Sequence, residues 1–313
     1  MSVYNRYSDY LKERYNEKVY KLPVSIPVSC PNRNNGKKGC SYCGVEGAGF
    51  ENLSGTFSVY EQLEKNKEYI GKRYKAKKFI AYFQSFTNTY LPVEDFEKYI
   101  KEASSVSDIV EIAVSTRPDC IHEKYLDVLK KVNQEKNINI TIELGLQTVN
   151  YHSLKKVNRG HSLAEYIDAV LCIKKYGFNI CTHIILNLPW DNIDDAIECA
   201  KIVSVLGSDY IKLHALYIEK NTDMAEEYLR GDFEICSVDE YKKRVIAFLR
   251  HLSTNIAVQR IIGRAPEENT LFANWGMSWW KIHDEIENYM SEKGYIQGDL
   301  YLYTDGSAVK KFV

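Results

Sequence analysis

No run of about 18 uncharged apolar residues occurs anywhere in the sequence, so no membrane-spanning helix is expected. Residues 1–14 are polar and tyrosine-rich and lack the apolar segment of a secretory signal, so the chain is expected to stay in the cytoplasm. Proline (7) and glycine (17) are sparse in 313 residues, and no repeat or low-complexity tract interrupts them. That excludes collagen-like and largely disordered classes. An excess of charge is also missing: 41 basic side chains face 42 acidic ones, a net charge of −1, and an RNA partner would need a local basic patch. The 45% hydrophobic content points to a buried core, in one large α/β barrel or two modest domains.

Short β-branched runs alternate with helical periodicities. Strands are expected at residues 24–29, 78–83, 109–115, 139–144, 180–188 and 210–216. Helices are expected at 59–74, 93–103, 124–135 and 193–206, and another opens with a capping box of Ser162 and Glu165 and closes at Gly177. This rhythm implies right-handed crossovers and a parallel sheet covered on both faces. The expected fold is α/β, a partial (β/α)6 TIM-type barrel, with an open doubly wound sheet as the alternative. Beyond residue 216 the pattern turns mostly helical: Ser237 and Glu240 cap a further helix, 257–262 suits a short strand, and 270–293 suits a helix. The expected division is an N-terminal segment 1–16, a barrel core 17–255 and a C-terminal extension 256–313.

Cysteine is plentiful. Eight cysteines in a reducing compartment are core thiols, metal ligands or catalysts rather than disulfides. Cys30, Cys40 and Cys43 stand in CPNRNNGKKGCSYC, a C-x9-C-x2-C loop directly after the first expected strand. Three thiolates on one loop suit three corners of a cubane cluster with one iron left open. A structural zinc site wants four closed ligands, and the nearest histidine in sequence is the distant His122. A core cysteine beside a chance pair is the competing reading, against which stand the loop's polarity and its Gly36 and Gly39. Cys120, Cys172, Cys181, Cys199 and Cys236 show no paired spacing and read as small buried apolar residues.

CPNRNNGKKGCSYC, AYFQSFTNTY, ELGLQTVN and NRGH together resemble the radical S-adenosylmethionine (SAM) superfamily over residues 15–264. The long first gap is similar to the branch containing the Elongator catalytic subunit and, within it, to the bacterial YtqA/YhcC-type proteins. The resemblance implies a [4Fe-4S] cluster on the three cysteines, whose open iron chelates SAM. It also implies reductive cleavage of SAM to a 5′-deoxyadenosyl radical and the partial barrel with a mostly helical C-terminal extension.

Residue by residue, the resemblance places Tyr42 near adenine, although a loop aromatic covering the cluster would look the same. Gln84 and Ser85 stand where relatives carry a Gly-Gly-Glu-like segment against the SAM amino group. Strand parity puts Glu143, Gly145 and Gln147 on one face; Glu143 and Gln147 would meet SAM or bond between strands. Arg159 matches an arginine used on the SAM carboxylate, with a solvated helix-end arginine as the alternative. His183 would face SAM or be a satisfied core histidine.

Phe272, Trp275, Trp279 and Trp280 would stack a flipped base or belong to the core. Lys72, Arg73, Lys75, Lys77 and Lys78, and Lys155, Lys156 and Arg159, are solvated helix faces or, if both groups border the barrel mouth, a phosphate-binding rim. The resemblance implies a tRNA substrate, with carboxymethylaminomethyl-uridine at the wobble position converted to aminomethyl-uridine. A reductase such as flavodoxin or ferredoxin and a tRNA methyltransferase are the implied partners, with no membrane. Elongator's acetyl-CoA chemistry is not expected from the short tail after the barrel. The alternatives are a radical SAM enzyme acting on a small molecule or cofactor precursor, and a non-catalytic cluster-bearing module.

Overall fold

The computed structural model describes residues 2–36, 39–44, 57–265 and 269–313. Helix α1 (Tyr7–Tyr15) precedes strand β1 (Val19–Val24), and α2 (Val59–Tyr74) leads into β2 (Lys78–Phe83). The alternation continues through α3 (Val93–Ser105), β3 (Ile109–Thr116), α4 (Glu123–Lys136), β4 (Asn139–Gln147), α5 (Tyr151–Lys156) and α6 (Leu163–Lys175). It then runs through β5 (Asn179–Ile185), α7 (Ile193–Val205), β6 (Tyr210–His214), a short β7 (Ile218–Glu219), α8 (Asp223–Arg230) and α9 (Val238–His251). Strands β8 (Ala257–Arg260) and β9 (Thr270–Phe272) and helix α10 (Trp279–Lys293) follow.

Seven strands form one parallel sheet in the order β1-β2-β3-β4-β5-β6-β8, while β7 and β9 pair apart from it. The sheet curls into a half-barrel with β1 and β8 at its free edges. The partial barrel is as expected, with one strand more, because residues 257–260 pair parallel to β6. Local signals explain the helix starts: the Ser58 and Glu61 box opens α2, Ser162 and Glu165 open α6, and Ser237 accepts from the Glu240 amide at α9.

Two expectations need correction. The first strand lies earlier than residues 24–29, at Val19–Val24, and Pro23 is tolerated there because β1 is an edge strand. Residues 270–293 are not one helix. Asn274, Trp275 and Gly276 have φ of 45°, 54° and 69°, a left-handed turn that separates β9 from α10. Trp275 packs in that turn against Tyr241 and Phe272, whereas Trp279 and Trp280 are exposed.

Strands β3 to β6 turn one face to the helices and the other, more polar, to the lumen, both largely buried. Ile112, Ile140, Ile142, Leu144, Ile184, Ile211 and Leu213 belong to the main core shared with the helices. The alternate positions, among them Glu111, Thr141, Glu143, Lys212 and His214, turn into the lumen, as a period of two requires. Helix α1 closes the amino end of the barrel, where Tyr7 and Leu11 pack on Ile80, Tyr82, Ala113, Tyr210 and Ala257.

Candidate functional site

The chemistry-bearing residues gather at the carboxyl ends of the strands, where parallel barrels place their sites. After β1 the chain makes a 3-10 turn over Pro31–Gly36, with the Arg33 amide donating to Cys30 O at 2.8 Å and the Cys43 amide to Cys40 O at 2.9 Å. The segment after α5 straps this loop down. Ser41 N donates to Val157 O at 3.0 Å, Asn158 Nδ2 to Gly39 O at 2.8 Å, and Asn32 Nδ2 to the carbonyls of Asn158 (2.6 Å) and Arg159 (2.9 Å). Gly160 sits in the seam at φ 76°; a Cβ there would collide with Asn32 and lie 2.9 Å from Arg117 Nη2. The CPNRN and NRGH motifs are thus two halves of one joint.

N–H donors surround the thiols. Cys40 Sγ receives Asn32 Nδ2 at 3.5 Å and Arg159 Nη1 at 3.6 Å, and Cys30 Sγ receives Arg117 Nη1 at 3.7 Å. Asp119 fixes Arg117 through contacts of 2.8 and 2.7 Å. Burial, reinforced by Cys40, pushes the Cys43 thiol up, and Arg33 opposes this. The ligands of a single ion crowd close together, as zinc–sulfur bonds of about 2.3 Å demand. Among the described residues three ligand atoms come within 4.8 Å of one another only at Glu143, Cys181 and His183, not at the cysteine loop. Three more widely spaced thiols with charged N–H donors fit a multi-iron core whose sulfurs accept such bonds. The Glu143 group is no rival metal site, since lysines already occupy its carboxylate.

The thiols open onto a cavity of about 250 Å³ lined also by Tyr42, Gln84, Glu143, Gln147, Arg159 and His183. Ser85 is buried beside it without lining it, and its carbonyl accepts from Asn88 Nδ2 in the turn after β2. Gln147 stands at φ 78° beyond a register break after Gly145, so strand parity holds only to Gly145 and a bulge aims Gln147 inward. Arg159 is buried: Nη2 donates to Gly145 O at 2.7 Å, and Nε has no partner. A Cβ on Gly145 would sit 2.6 Å from Arg159 Nη2 and 2.7 Å from Gln147 Nε2, so this wall is a cradle that glycine keeps clear. Half-buried Tyr42 packs on the apolar cluster of Ile185, Leu188 and Leu216.

Deeper in the lumen Glu143 is saturated. Lys21 Nζ meets Oε1, while His183 Nε2 (2.8 Å) and Lys212 Nζ (3.4 Å) meet Oε2. This explains Glu143 without SAM and makes it the anchor of an ion network. Lys212 also donates to the Tyr82 hydroxyl at 2.9 Å, and both Lys21 and Lys212 lie over the Tyr82 ring. Burial lowers His183 to about 4, against the pull of Glu143, and leaves it neutral.

Burial also brings Lys212 down to about 8, again against the attraction of Glu143. In protein with 13C-methylated lysines, the Lys212 resonance therefore titrates near pH 8, well below the surface lysines, and a titration with theirs would contradict its burial. The folded value lies below the unfolded one, so the lysine's contribution to stability rises as pH passes from about 8 toward 10.5.

Sequence reasoning missed Lys21, Arg117, Lys212, His214 and Arg260. The signal was present: a lone charge between apolar neighbours, as in VYKLPV and YIKLH, marks an inward position on a buried strand. The two basic segments do not share the mouth. Lys72, Arg73, Lys75, Lys77 and Lys78 lie where α2 turns into β2, at the amino ends of the strands, with Lys78 bonded to Tyr15 O and Lys77 beside Glu17. Lys155 and Lys156 follow β4 on the cavity side, stacked over Tyr151 and Trp190.

Sequence comparison agrees with this geometry. The profile of the radical SAM superfamily matches residues 24–203 and that of the Radical_SAM C-terminal domain residues 208–292. The chain belongs to the radical SAM superfamily, which uses a [4Fe-4S] cluster and SAM. It is 32% identical to the uncharacterized protein YtqA of Bacillus subtilis (strain 168), over 95% of this chain and 92% of the relative. It is 26% identical to a tRNA uridine(34) acetyltransferase of Methanocaldococcus infernus, over 81% of this chain and 51% of that protein. The solved structure of the archaeal Methanocaldococcus infernus Elp3 with an N-terminal deletion shares its fold, with a TM-score of 0.69, 18% identity, and coverage of 91% of this chain and 67% of that one. No described helix is long and apolar enough to cross a membrane.

Proposed function

We propose that this radical SAM enzyme acts on the wobble uridine of tRNA, converting carboxymethylaminomethyl-uridine, SAM and water to aminomethyl-uridine, glyoxylate, methionine and 5′-deoxyadenosine. The electron used to cleave SAM is recovered when the carbon-centred substrate radical is oxidised to an imine that water hydrolyses. Cys30, Cys40 and Cys43 hold the cluster; Arg159 and Gln147 orient SAM from the β4 wall, with Tyr42, Gln84 and His183 around it. When bound and reduced, the cluster and SAM supply a 5′-deoxyadenosyl radical that takes a hydrogen atom from the substrate. The protein's own part is to hold SAM by Arg159, exclude water, and present one C–H bond. The observation that carries the cofactor assignment is the loop-and-strap joint, which brings three thiols, two guanidiniums and the unpartnered Arg159 Nε to one cavity. The tRNA substrate is supported by the likeness to the tRNA uridine(34) acetyltransferase and by exposed Lys155 and Lys156 on the cavity side. A cytoplasmic location, a flavodoxin or ferredoxin as electron donor, and a methyltransferase that consumes the product complete this reading.

Reduced enzyme, SAM and tRNA carrying the carboxymethylaminomethyl group, followed by nucleoside analysis, yield aminomethyl-uridine. If none forms and tRNA does not raise 5′-deoxyadenosine output, the substrate is a small molecule instead. Arg159→Ala and Gln147→Ala each weaken SAM binding by about 1–3 kcal/mol in calorimetry while keeping the cluster. Normal SAM affinity in both variants would refute their assignment. tRNA affinity falls steeply with salt, and Lys155→Glu with Lys156→Glu weakens it, whereas reversing Lys75 and Lys77 at the far end does not.

A further inference from the structure

The lumen holds more buried positive charge than its described residues neutralise. Lys21 and Lys212 meet the carboxylate of Glu143, the other lumen carboxylate, Glu111, is bonded to Tyr15 and Thr141 toward the amino end, and no described carboxylate pairs directly with Arg260. Arg260 instead directs Nη2 at His214 Nδ1, 2.7 Å away. A guanidinium has no lone pair, so His214 Nδ1 accepts and Nε2 carries the ring proton. Burial, with the charge of Arg260 beside it, holds His214 well below its ordinary value and keeps the ring neutral. The outcome is two adjacent buried N–H groups without an acceptor, Arg260 Nε and His214 Nε2, both on residues that line the cavity. Buried donors are satisfied in nearly all native structures, so a pair of orphans on a cationic wall marks the place of an acceptor that arrives with the ligand.

We propose that Arg260 and His214, with Lys212 beneath them, form a subsite for a carboxylate of the substrate, separate from the Arg159 and Gln147 wall on β4. The planar fork of arginine matches a carboxylate's two oxygens. Depth excludes the nucleic-acid backbone, because Lys212 is only 8% exposed and a backbone phosphate would have to be threaded down to it. A carboxylate at the end of a flexible arm reaches without that distortion. This inference deepens the tRNA reading, whose modified uridine ends in such an arm, but needs only that the substrate be a carboxylic acid.

The test uses reconstituted enzyme with SAM present and three probes: carboxymethylaminomethyl-uridine and aminomethyl-uridine as free nucleosides, and N-methylglycine as the bare acidic arm. Wild-type protein binds the acidic nucleoside at least about tenfold tighter than the amine, a ratio typical of one charged contact. Arg260→Gln erases that preference and Arg260→Lys retains part of it. In 15N-histidine spectra N-methylglycine shifts the His214 Nε2 signal of wild type and leaves it in place in Arg260→Gln. If Arg260→Gln fails to fold, His214→Gln must show the same lost preference. No His214 shift with N-methylglycine in wild type overturns the subsite whatever the substrate is. A loss of SAM affinity in Arg260→Gln as large as that for the nucleoside overturns it too, since the anion would then be SAM's own carboxylate. Failure of the tRNA reading shows separately, as absence of aminomethyl-uridine from modified tRNA while the N-methylglycine response persists.

Discussion

Cys40→Ala lowers the iron bound by anaerobically reconstituted protein from about four per chain to near zero and abolishes 5′-deoxyadenosine formation from SAM and dithionite. Cys40 is the buried member of the three, and its sulfur takes N–H contacts from both halves of the joint, Asn32 on the cysteine loop and Arg159 on the strap. Removing it takes away one corner of the cluster and leaves the two donors facing a void. Cys30→Ala and Cys43→Ala have the same effect. The fold itself survives, because the loop stands outside the main core that holds the barrel, so the apo variants keep the melting temperature of apo wild type. Iron and sulfide assays with electron paramagnetic resonance decide the matter: one zinc per chain and no iron uptake in wild type would mean that the loop is a structural metal site.

Glu143→Gln destabilises the protein by about 3–5 kcal/mol in denaturant unfolding, the usual consequence of removing one partner from a buried ionic group. Its side chain has no exposure, and two lysines and His183 converge on it. Burial opposes the charged form, yet Lys21, Lys212 and His183 outweigh it and hold the carboxyl well below the ordinary range. A folded value below the unfolded one means that this stability is complete above about pH 4.3 and is lost as pH falls through the folded value. Wild type therefore shows an acid-dependent loss that Glu143→Gln flattens. A Lys21→Met change restores part of the stability of Glu143→Gln while harming the wild-type background, a coupling that a double-mutant cycle reads directly. Independent, additive effects would show that the network is not a unit.

The regular part of the fold is legible because each element obeys one period. Helix α2 and strand β2 fall at the residues their patterns indicate, and the Ser162 and Glu165 box opens α6 where it should. The first strand is misplaced because VSIPVS, with three β-branched residues, outweighs VYKLPV, with two, and only the tertiary edge position of β1 favours the latter. In the site, the cysteine triplet and the NRGH arginine are legible as motifs. Their joint is not, since Asn32 and Gly160 meet through a contact between residues far apart in sequence. Gln147 is found by parity for a reason parity does not contain, the bulge after Gly145. Glu143 reads as a ligand contact because its lysine partners sit on β1 and β6, which no local pattern connects.

The half-barrel has a seam, and residues far apart in the sequence share in fastening it. Strands β1 and β8 are free edges bridged by Lys21 Nζ on Gln259 Oε1 at 2.9 Å. The stretch before α1 lies along β8, with Asn5 O accepting from Val258 N at 2.8 Å and Arg6 bridging Val258, while Gln297 Oε1 accepts from Asn5 N at 2.9 Å. During synthesis the cysteine loop leaves the ribosome long before β8 exists, so the basket is woven with its rim exposed and its side laced last. The thiols stand beside an unlaced wall until then, and Asn5 and Arg6 must wait for Val258 and Gln297 before the lumen is sealed.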